Sequence, residues 1–263
     1  MIEFEQKERY GFDDLLRIMK ILRAPDGCMW DREQDHHTIR RNFIEETYEA
    51  VEAIDNEDSE LLKEELGDVL LQVVFHAEIE SEKGVFDIGD VTDGVCKKLI
   101  YRHPHIFADT KVSSTGEILK NWDDLKQTEK HQQTAADTLD SVARSLPALI
   151  RADKVLTKAA KAGFDWDNGV EGALGKVHEE LQELEESIRE HTNQEEELGD
   201  LLVAAAGVAR FLGCDPEQCA AQSCEKFISR FRKMETQAHG RPLGEMTLDE
   251  LIGLWQSAKR QEA

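Results

Sequence analysis

The sequence has few prolines, few aromatic residues and no long apolar run. Five prolines in 263 residues leave room for long helices, and clusters of β-branched residues, which are typical of strands, are rare. The apolar stretch 201–209 is too short to cross a bilayer, and the charged segment 1–9 lacks the apolar core of a signal peptide. We therefore expect an all-α protein that does not enter a membrane.

Several familiar sequence signatures are also missing. The five cysteines include no Cys-x-x-Cys pair, and their odd number argues against a disulfide framework, so we expect reduced thiols and a cytoplasmic protein. The chain has no Gly-Lys-Ser/Thr phosphate loop, no Gly-x-Gly-x-x-Gly turn and no Gly-x-Ser-x-Gly elbow. A nucleotide site or a hydrolytic site in this chain must therefore be built in another way.

Basic residues are in short supply. The chain has 32 lysines and arginines against 55 acids, and its net charge is −23. This balance repels nucleic acids and anionic membranes, so we expect neither as a partner. A polyanionic substrate can still bind where metal ions and a few local bases reverse the field.

What the sequence has in abundance is acidic residues, and some form a repeated pattern. Glu46 and Glu49 are three residues apart, as are Glu65 and Asp68. On a helix, residues with this spacing project from one face. We call these four the first quartet. The second half of the chain repeats the spacing in a second quartet, Glu180, Glu183, Glu197 and Asp200.

Each quartet predicts a magnesium site. Two such helices side by side bring four carboxylates together, and unpaired carboxylates repel one another strongly. Ligands that are all oxygen select a hard cation, and Mg²⁺ is the usual one. Glu45 and Glu179 each precede an acid pair, and each is a candidate for a further ligand or a general base, with a surface position as the alternative. Gly67 and Gly199 predict a close approach of a neighbouring helix or of the metal.

The repeat extends beyond the acids and indicates a duplicated domain. The matching blocks, in the same order and at a nearly constant offset, are Gly27–Asp31 with Gly163–Asp167, Glu65–Leu70 with Glu197–Leu202, Cys96–Arg102 with Cys224–Arg230, and Trp122–Lys126 with Trp255–Lys259. We predict domains at 1–130 and 141–263, joined by a polar linker at 131–140. The apolar period predicts helices at 10–23, 37–55, 58–82, 88–102, 116–130, 144–162, 170–190, 194–212, 215–238 and 247–261.

Two basic pairs are candidates for phosphate binding. Lys98 and Arg102 are four residues apart, and so are Lys226 and Arg230, so each pair shares a helical face. Across from a metal site such pairs would grip phosphate oxygens, although an exposed basic helix edge is the alternative. Lys176, one turn before Glu180, is a further candidate.

The two tryptophan–lysine pairs are candidates for nucleotide binding. Trp122 precedes Lys126 by one helical turn, as Trp255 precedes Lys259. The indole could stack on a base while the ammonium reaches a phosphate, and a tryptophan that simply fills the core is the alternative.

Taken together, these motifs resemble the MazG family of nucleoside triphosphate pyrophosphohydrolases. The resemblance rests on Glu45–Glu49, Glu65–Asp68, Arg102–Phe107 and the duplication, and it covers the chain after residue 10. It implies an all-α fold of tandem helical-bundle domains, a homodimer, and Mg²⁺-dependent hydrolysis of nucleoside triphosphates to monophosphate and pyrophosphate.

The resemblance also implies roles for residues of the second copy, the better established site in similar two-domain members. The acids of the second quartet would bind metal, and the residues that would bind nucleotide are Lys226, Arg230, Trp255 and Lys259. Lys226 and Arg230 would neutralise charge on the leaving pyrophosphate, while Glu179 or a quartet acid such as Glu180 takes the proton of water. The first copy keeps all its acids, so either copy or both could be active.

Two other classes of protein are alternatives. A di-iron carboxylate bundle needs Glu-x-x-His on two helices, and no quartet acid here has histidine three residues later. The alternative that stays open is a non-catalytic, acidic helical protein that senses nucleotides or binds a partner.

Overall fold

The computed structural model describes residues 4–130 and 132–261, and within them every regular element is a helix. The predicted all-α class is confirmed. The α-helices are α1 (Phe12–Arg23), α2 (Met29–Glu33), α3 (Arg40–Asp55), α4 (Ser59–Glu82), α5 (Ile88–Arg102), α6 (Pro104–Phe107), α7 (Thr115–Glu129), α8 (Ala135–Asp140), α9 (Ala148–Lys161), α10 (Val170–Glu190), α11 (Gln194–Leu212), α12 (Pro216–Gln237) and α13 (Leu248–Arg260). One turn of 3₁₀ helix, Leu243–Glu245, precedes α13.

Each of the ten predicted segments coincides with one long helix, but three short helices were not predicted. Helices α2, α6 and α8 have five, four and six residues, which is too short to display a period of 3.6. Helix α8 lies inside the predicted linker 131–140, which is therefore not wholly irregular. Thr134 begins it by accepting a hydrogen bond from the amide of Asp137, whose side chain caps in return.

The chain divides into two compact units, Met1–Lys126 and Gln127–Ala263. The predicted boundaries at 130 and 141 stay a prediction. In the first unit α3 and α4 pack along one another, and α1 packs on α4. The buried core of this unit is Met19, Ile39, Val74, Phe75 and Ile79.

In the second unit α10 packs along α11, α9 packs on α11, and α12 packs on α13. The connection from α10 to α11 is tight, with His191 at φ 57° and Asn193 at φ 44°, both left-handed. This reversal sets the acids of α10 against those of α11. Asp215 caps α12, and Pro216 is its first residue. Among the described helices, none combines the length and the apolar character needed to cross a membrane.

Candidate metal and nucleotide site

The first quartet lies where α3 and α4 face one another. Glu46, Glu49 and Glu65 each offer a carboxylate oxygen, and these oxygens lie within 4.8 Å of one another. Glu65 is buried, Glu46 is half-buried and Glu49 is exposed. The helical spacing and the packing of α3 on α4 thus bring together three acids from two helices, where the sequence predicts four.

The electrostatics of the first quartet are those of crowded like charges. Burial raises the pKa of Glu46, and the nearby charge of Asp68 raises it further. Burial also raises the pKa of Glu65, with Glu49 adding to the effect. Both carboxyls therefore hold their protons more tightly than usual, because burial disfavours the ionised form and the neighbouring acids repel a further negative charge. A bound cation would relieve this repulsion.

The second quartet repeats the arrangement on α10 and α11. Oxygens of Glu180, Glu183 and Glu197 lie within 4.8 Å of one another, with Glu180 buried. A hydrogen bond shared with Glu180, followed by burial, raises the pKa of Glu183. This quartet differs from the first in containing a base. Lys176 places its Nζ atom 2.7 Å from a carboxylate oxygen of Glu180 and 2.8 Å from one of Glu179.

Lys176 forms an ion pair with each of two acids in this position. Its hydrogen bonds to Glu179 and Glu180 raise its pKa, because both partners are acids that favour the charged ammonium. In the first copy Asn42 stands at the matching position, so this base is peculiar to the second copy.

The fourth acid of each quartet lies apart from the group of three carboxylates. Asp68 is close enough to Glu46 to raise its pKa, and Asp200 lines the cavity beside the second quartet. The structure therefore gathers three predicted ligands in each unit and leaves the fourth nearby. Their roles as metal ligands stay predictions.

A cavity of about 450 Å³ adjoins the second quartet. Its polar lining includes Lys176, Glu179, Glu180 and Asp200. Its remaining lining is largely apolar and includes Leu156, Phe164, Trp166, Ala173, Val203, Ala204 and Phe211. An opening with acids and a base in one part and aromatic rings in another suits a ligand that is both charged and aromatic.

Arg210 and Asp165 fix one part of this cavity. The two side chains form a two-point ion pair, with Nη1 3.2 Å from Oδ2, and this pair lowers the pKa of Asp165. The guanidinium carbon also lies 4.2 Å from the ring centroid of Phe211. Because Asp165 stands between Phe164 and Trp166, the ion pair ties that aromatic segment to α11.

Sequence reasoning did not single out Arg210 or Asp165. The signal that could have found them is a lone arginine at the end of the apolar stretch 201–209 and an acid within a repeated block. The first copy uses another arrangement, with Glu78 at the position that matches Arg210. There Arg23 of α1 donates to the main-chain carbonyl of Gln34 at 3.2 Å and pairs with Glu82 at 2.6 Å.

The predicted nucleotide-binding residues of α12 and α13 form a second group. The Phe227 and Trp255 rings lie 4.8 Å apart by their centroids, and the guanidinium of Arg230 lies over the Trp255 ring. Lys226 and Lys259 are exposed. These residues are not among those that line the cavity described above.

The matching residues of the first unit differ in their exposure, above all at Arg102. Lys98 is exposed, but Arg102 is buried, with 8% of its surface accessible. Trp122 lies 6.0 Å from the ring of His103, measured between centroids, and Lys126 is half-buried. Burial of Arg102 differs from the open basic face that its spacing suggested, and a nucleotide role for these four residues stays a prediction.

The two glycines do not have the packing role expected of them within the chain. A Cβ atom added at Gly67 or at Gly199 would meet no other atom within 4 Å among the described residues. The close approach predicted at these positions is therefore not made by a neighbouring helix of the described residues, and approach of a metal stays a prediction.

The chain matches the family model described as the MazG nucleotide pyrophosphohydrolase domain twice, over residues 34–107 and 169–234. It is 43% identical to a protein of Thermotoga maritima named nucleoside triphosphate pyrophosphohydrolase/pyrophosphatase MazG, over 94% of this chain and 95% of that protein. It is 41% identical to the nucleoside triphosphate pyrophosphohydrolase of Escherichia coli K12, over 95% of this chain and 97% of that protein. An uncharacterized protein of Bacillus subtilis, YabN, is 42% identical over 99% of this chain and 54% of that protein.

The two family matches cover both acidic quartets, and the relatives are aligned over nearly the whole chain. Sequence, fold and carboxylate geometry agree with one another. The chain belongs to the MazG nucleotide pyrophosphohydrolase family.

Proposed function

We propose that this protein hydrolyses nucleoside triphosphates to nucleoside monophosphate and pyrophosphate with Mg²⁺, and that the second quartet is its main site. The observation that carries this proposal is the group Glu180, Glu183 and Glu197, with oxygens within 4.8 Å of one another, beside a cavity that Lys176 and Asp200 line. The names of the relatives in Thermotoga maritima and Escherichia coli support the same reaction.

The donor set fits Mg²⁺. All the candidate ligands are carboxylates, which suit a small hard cation, and their crowding leaves negative charge that a dication would balance. The residues that would hold it are Glu180, Glu183, Glu197 and Asp200. When bound, Mg²⁺ makes a water molecule more acidic and offsets charge on phosphate oxygens.

The chain's own residues would bind and orient the substrate. Lys176 lines the cavity and can donate hydrogen bonds to phosphate oxygens. Glu179 is exposed at the same cavity and can accept the proton of the attacking water. Lys226 and Arg230 would stabilise charge on the leaving pyrophosphate, and Trp255 with Lys259 would contact the nucleotide.

We also propose a homodimer. The helices that carry the quartets leave large apolar side chains exposed, which monomers rarely do over a contiguous surface. Examples are Leu66, Leu70, Leu198 and Leu202. Sedimentation equilibrium at micromolar concentration should give twice the chain mass, and a mass near the single-chain 29.9 kDa would contradict the dimer. The five cysteines are free thiols, which supports a cytoplasmic location.

The reaction is tested by product analysis. Purified protein is incubated with each of the common NTPs and dNTPs, with Mg²⁺ or with EDTA, and products are separated by ion-exchange chromatography. We expect equal amounts of monophosphate and pyrophosphate, formed only with Mg²⁺. Release of nucleoside diphosphate and phosphate would mean that cleavage falls between the β- and γ-phosphates and would contradict the proposed reaction. Binding of nucleotide without any product would favour the nucleotide-sensing alternative.

A further inference from the structure

The two quartets differ in one internal charge. In the second, Lys176 is one turn before Glu180 and contacts it at 2.7 Å; in the first, the matching residue is the neutral Asn42. The nearest basic residue in the sequence of α3 is Arg41, whose side chain is 86% exposed and forms an ion pair with Glu45 at 2.7 Å. Glu45 is not one of the three clustered carboxylates. The second quartet thus has a built-in counter-ion, whereas the first has the neutral Asn42 at the matching position.

Lys176 contacts the same acid that would hold the metal. Glu180 is the buried member of its group, with a side chain that is 7% exposed, so it has little room to serve two cations at once. An ammonium and a dication a few ångströms apart repel one another, more strongly in a partly buried site than in water. Lys176 must therefore leave Glu180 when a metal ion takes its place.

The structure also indicates where the ammonium can go. Lys176 lines the cavity beside the quartet, and its side chain is 35% exposed on a flexible four-carbon stem. A polyphosphate in that cavity would offer oxygen atoms to an ammonium that has just been displaced. Metal and polyphosphate would then help each other bind, because each stabilises the state that the other requires.

We infer that Lys176 acts as an internal counter-ion that couples metal binding to polyphosphate binding at the second quartet. Without nucleotide, Lys176 competes with the metal for Glu180, so the second quartet binds the metal weakly. With nucleotide, Lys176 turns to the phosphates and the metal binds tightly. The first quartet, with Asn42, binds the metal equally well in either case. This inference rests on the proposed function, since it takes the substrate to be a polyphosphate.

The test measures metal binding and needs no turnover. Mn²⁺ replaces Mg²⁺, because carboxylate sites accept both and free Mn²⁺ is counted by its electron paramagnetic resonance signal. The double substitution Glu49→Gln and Glu65→Gln disables the first quartet and leaves the second to be titrated, with or without an α,β-methylene nucleoside triphosphate. Lys176→Asn copies the first quartet into the second, and Lys176→Arg keeps the charge.

In this background Lys176→Asn should tighten nucleotide-free Mn²⁺ binding by about tenfold, a typical effect of changing one group around the ligands of a metal. The analogue should strengthen Mn²⁺ binding when residue 176 is lysine or arginine, and much less when it is asparagine. In the reciprocal background, Glu183→Gln with Glu197→Gln, Asn42→Lys should weaken Mn²⁺ binding at the first quartet by about tenfold. Circular dichroism confirms that each variant keeps its helices.

Unchanged nucleotide-free Mn²⁺ affinity in Lys176→Asn would overturn the inference, and so would equal strengthening by the analogue with and without the lysine. The inference would also be overturned if the second quartet bound no Mn²⁺ in any of the variants, with or without the analogue. The proposed function fails differently: if product analysis shows no pyrophosphate while Lys176 still governs Mn²⁺ affinity, only the reaction is wrong.

Discussion

The guanidinium carbon of Arg230 lies 5.6 Å from the ring centroid of Trp255. This contact joins helix α12 to α13 and unites two blocks that the sequence analysis predicted to bind nucleotide. Phe227 packs on the same indole at 4.8 Å between centroids. Trp255 is therefore both a packing residue and a half-exposed aromatic surface beside the side chain of Arg230. Its two roles can be separated by kinetics.

Trp255→Ala is expected to raise KM by about tenfold or more for every nucleoside triphosphate alike, because stacking on an indole is worth about 1–3 kcal/mol per base and does not select the base. Trp255→Phe keeps a ring for Phe227 to pack on and should lose less. Lys259→Ala should lower kcat as well, if its ammonium contacts charge that develops in the transition state. Steady-state kinetics on several NTPs checks all three variants. Should Trp255→Ala lower the melting temperature and leave KM of the folded protein unchanged, Trp255 is only a core residue.

The ion pair between Arg210 and Asp165 should affect the KM for the substrate. Asp165→Asn breaks it and loosens the segment that carries Phe164 and Trp166, so KM should rise about two- to fivefold, the range expected for a partly exposed ion pair. The matched control is Asp167→Asn, which makes the same change in charge two residues away at an exposed position. A charge reversal, Asp165→Arg with Arg210→Asp, should recover part of the loss. Equal kinetics for Asp165→Asn and Asp167→Asn would show that the pair does not shape the site.

The first quartet predicts how stability depends on pH in the absence of metal. The pKa values of Glu46 and Glu65 are raised above the ordinary 4.5, so the folded protein binds these protons more tightly than the unfolded chain. Their contribution to stability is therefore present below pH 4.5 and is lost as pH rises through the higher pKa values of the folded state. In EDTA at pH 7 the crowded carboxylates oppose folding.

Removing one of these charges should show the effect directly. In EDTA at pH 7, Glu65→Gln should raise the melting temperature by about 2–4 °C, and Mg²⁺ should stabilise the wild type more than the variant. Glu64→Gln, one residue earlier and exposed, removes a charge outside the group of three and should have a smaller effect. Scanning calorimetry in EDTA and in Mg²⁺ gives both comparisons. A lower melting temperature for metal-free Glu65→Gln would mean that Glu65 stabilises the fold.

The long helices could be predicted from the sequence because their apolar residues recur at three and four over many turns. Helix α8 could not, because its period would need more residues than it has, and its capping by Thr134 depends on local geometry rather than on hydrophobicity. The carboxylate groups followed from spacing on two packed helices. Helical spacing predicts that Glu46 lies near Glu65, but it does not predict that Asp68 and Asp200 lie outside the groups of three carboxylates.

What the sequence did not reveal depends on side chains that meet across elements. Arg210 pairs with an acid 45 positions earlier, and nothing in either local pattern indicates its partner. Burial of Arg102 likewise depends on how α5 packs. The contact of Lys176 with Glu180 is the exception, because one helical turn separates them. Helical spacing alone predicts that contact, although the sequence analysis gives Lys176 a phosphate as its partner.

The claim that the second quartet is the main catalytic site is tested most directly by one pair of substitutions measured side by side. Glu197→Gln and Glu65→Gln make the same chemical change at matching positions of the two quartets, and both variants should keep the helix content of the wild type. Pyrophosphate released from NTP with saturating Mg²⁺ is the measurement. We expect Glu197→Gln to abolish release and Glu65→Gln to retain most of it. Full activity in Glu197→Gln together with loss of activity in Glu65→Gln would place the chemistry in the first quartet instead.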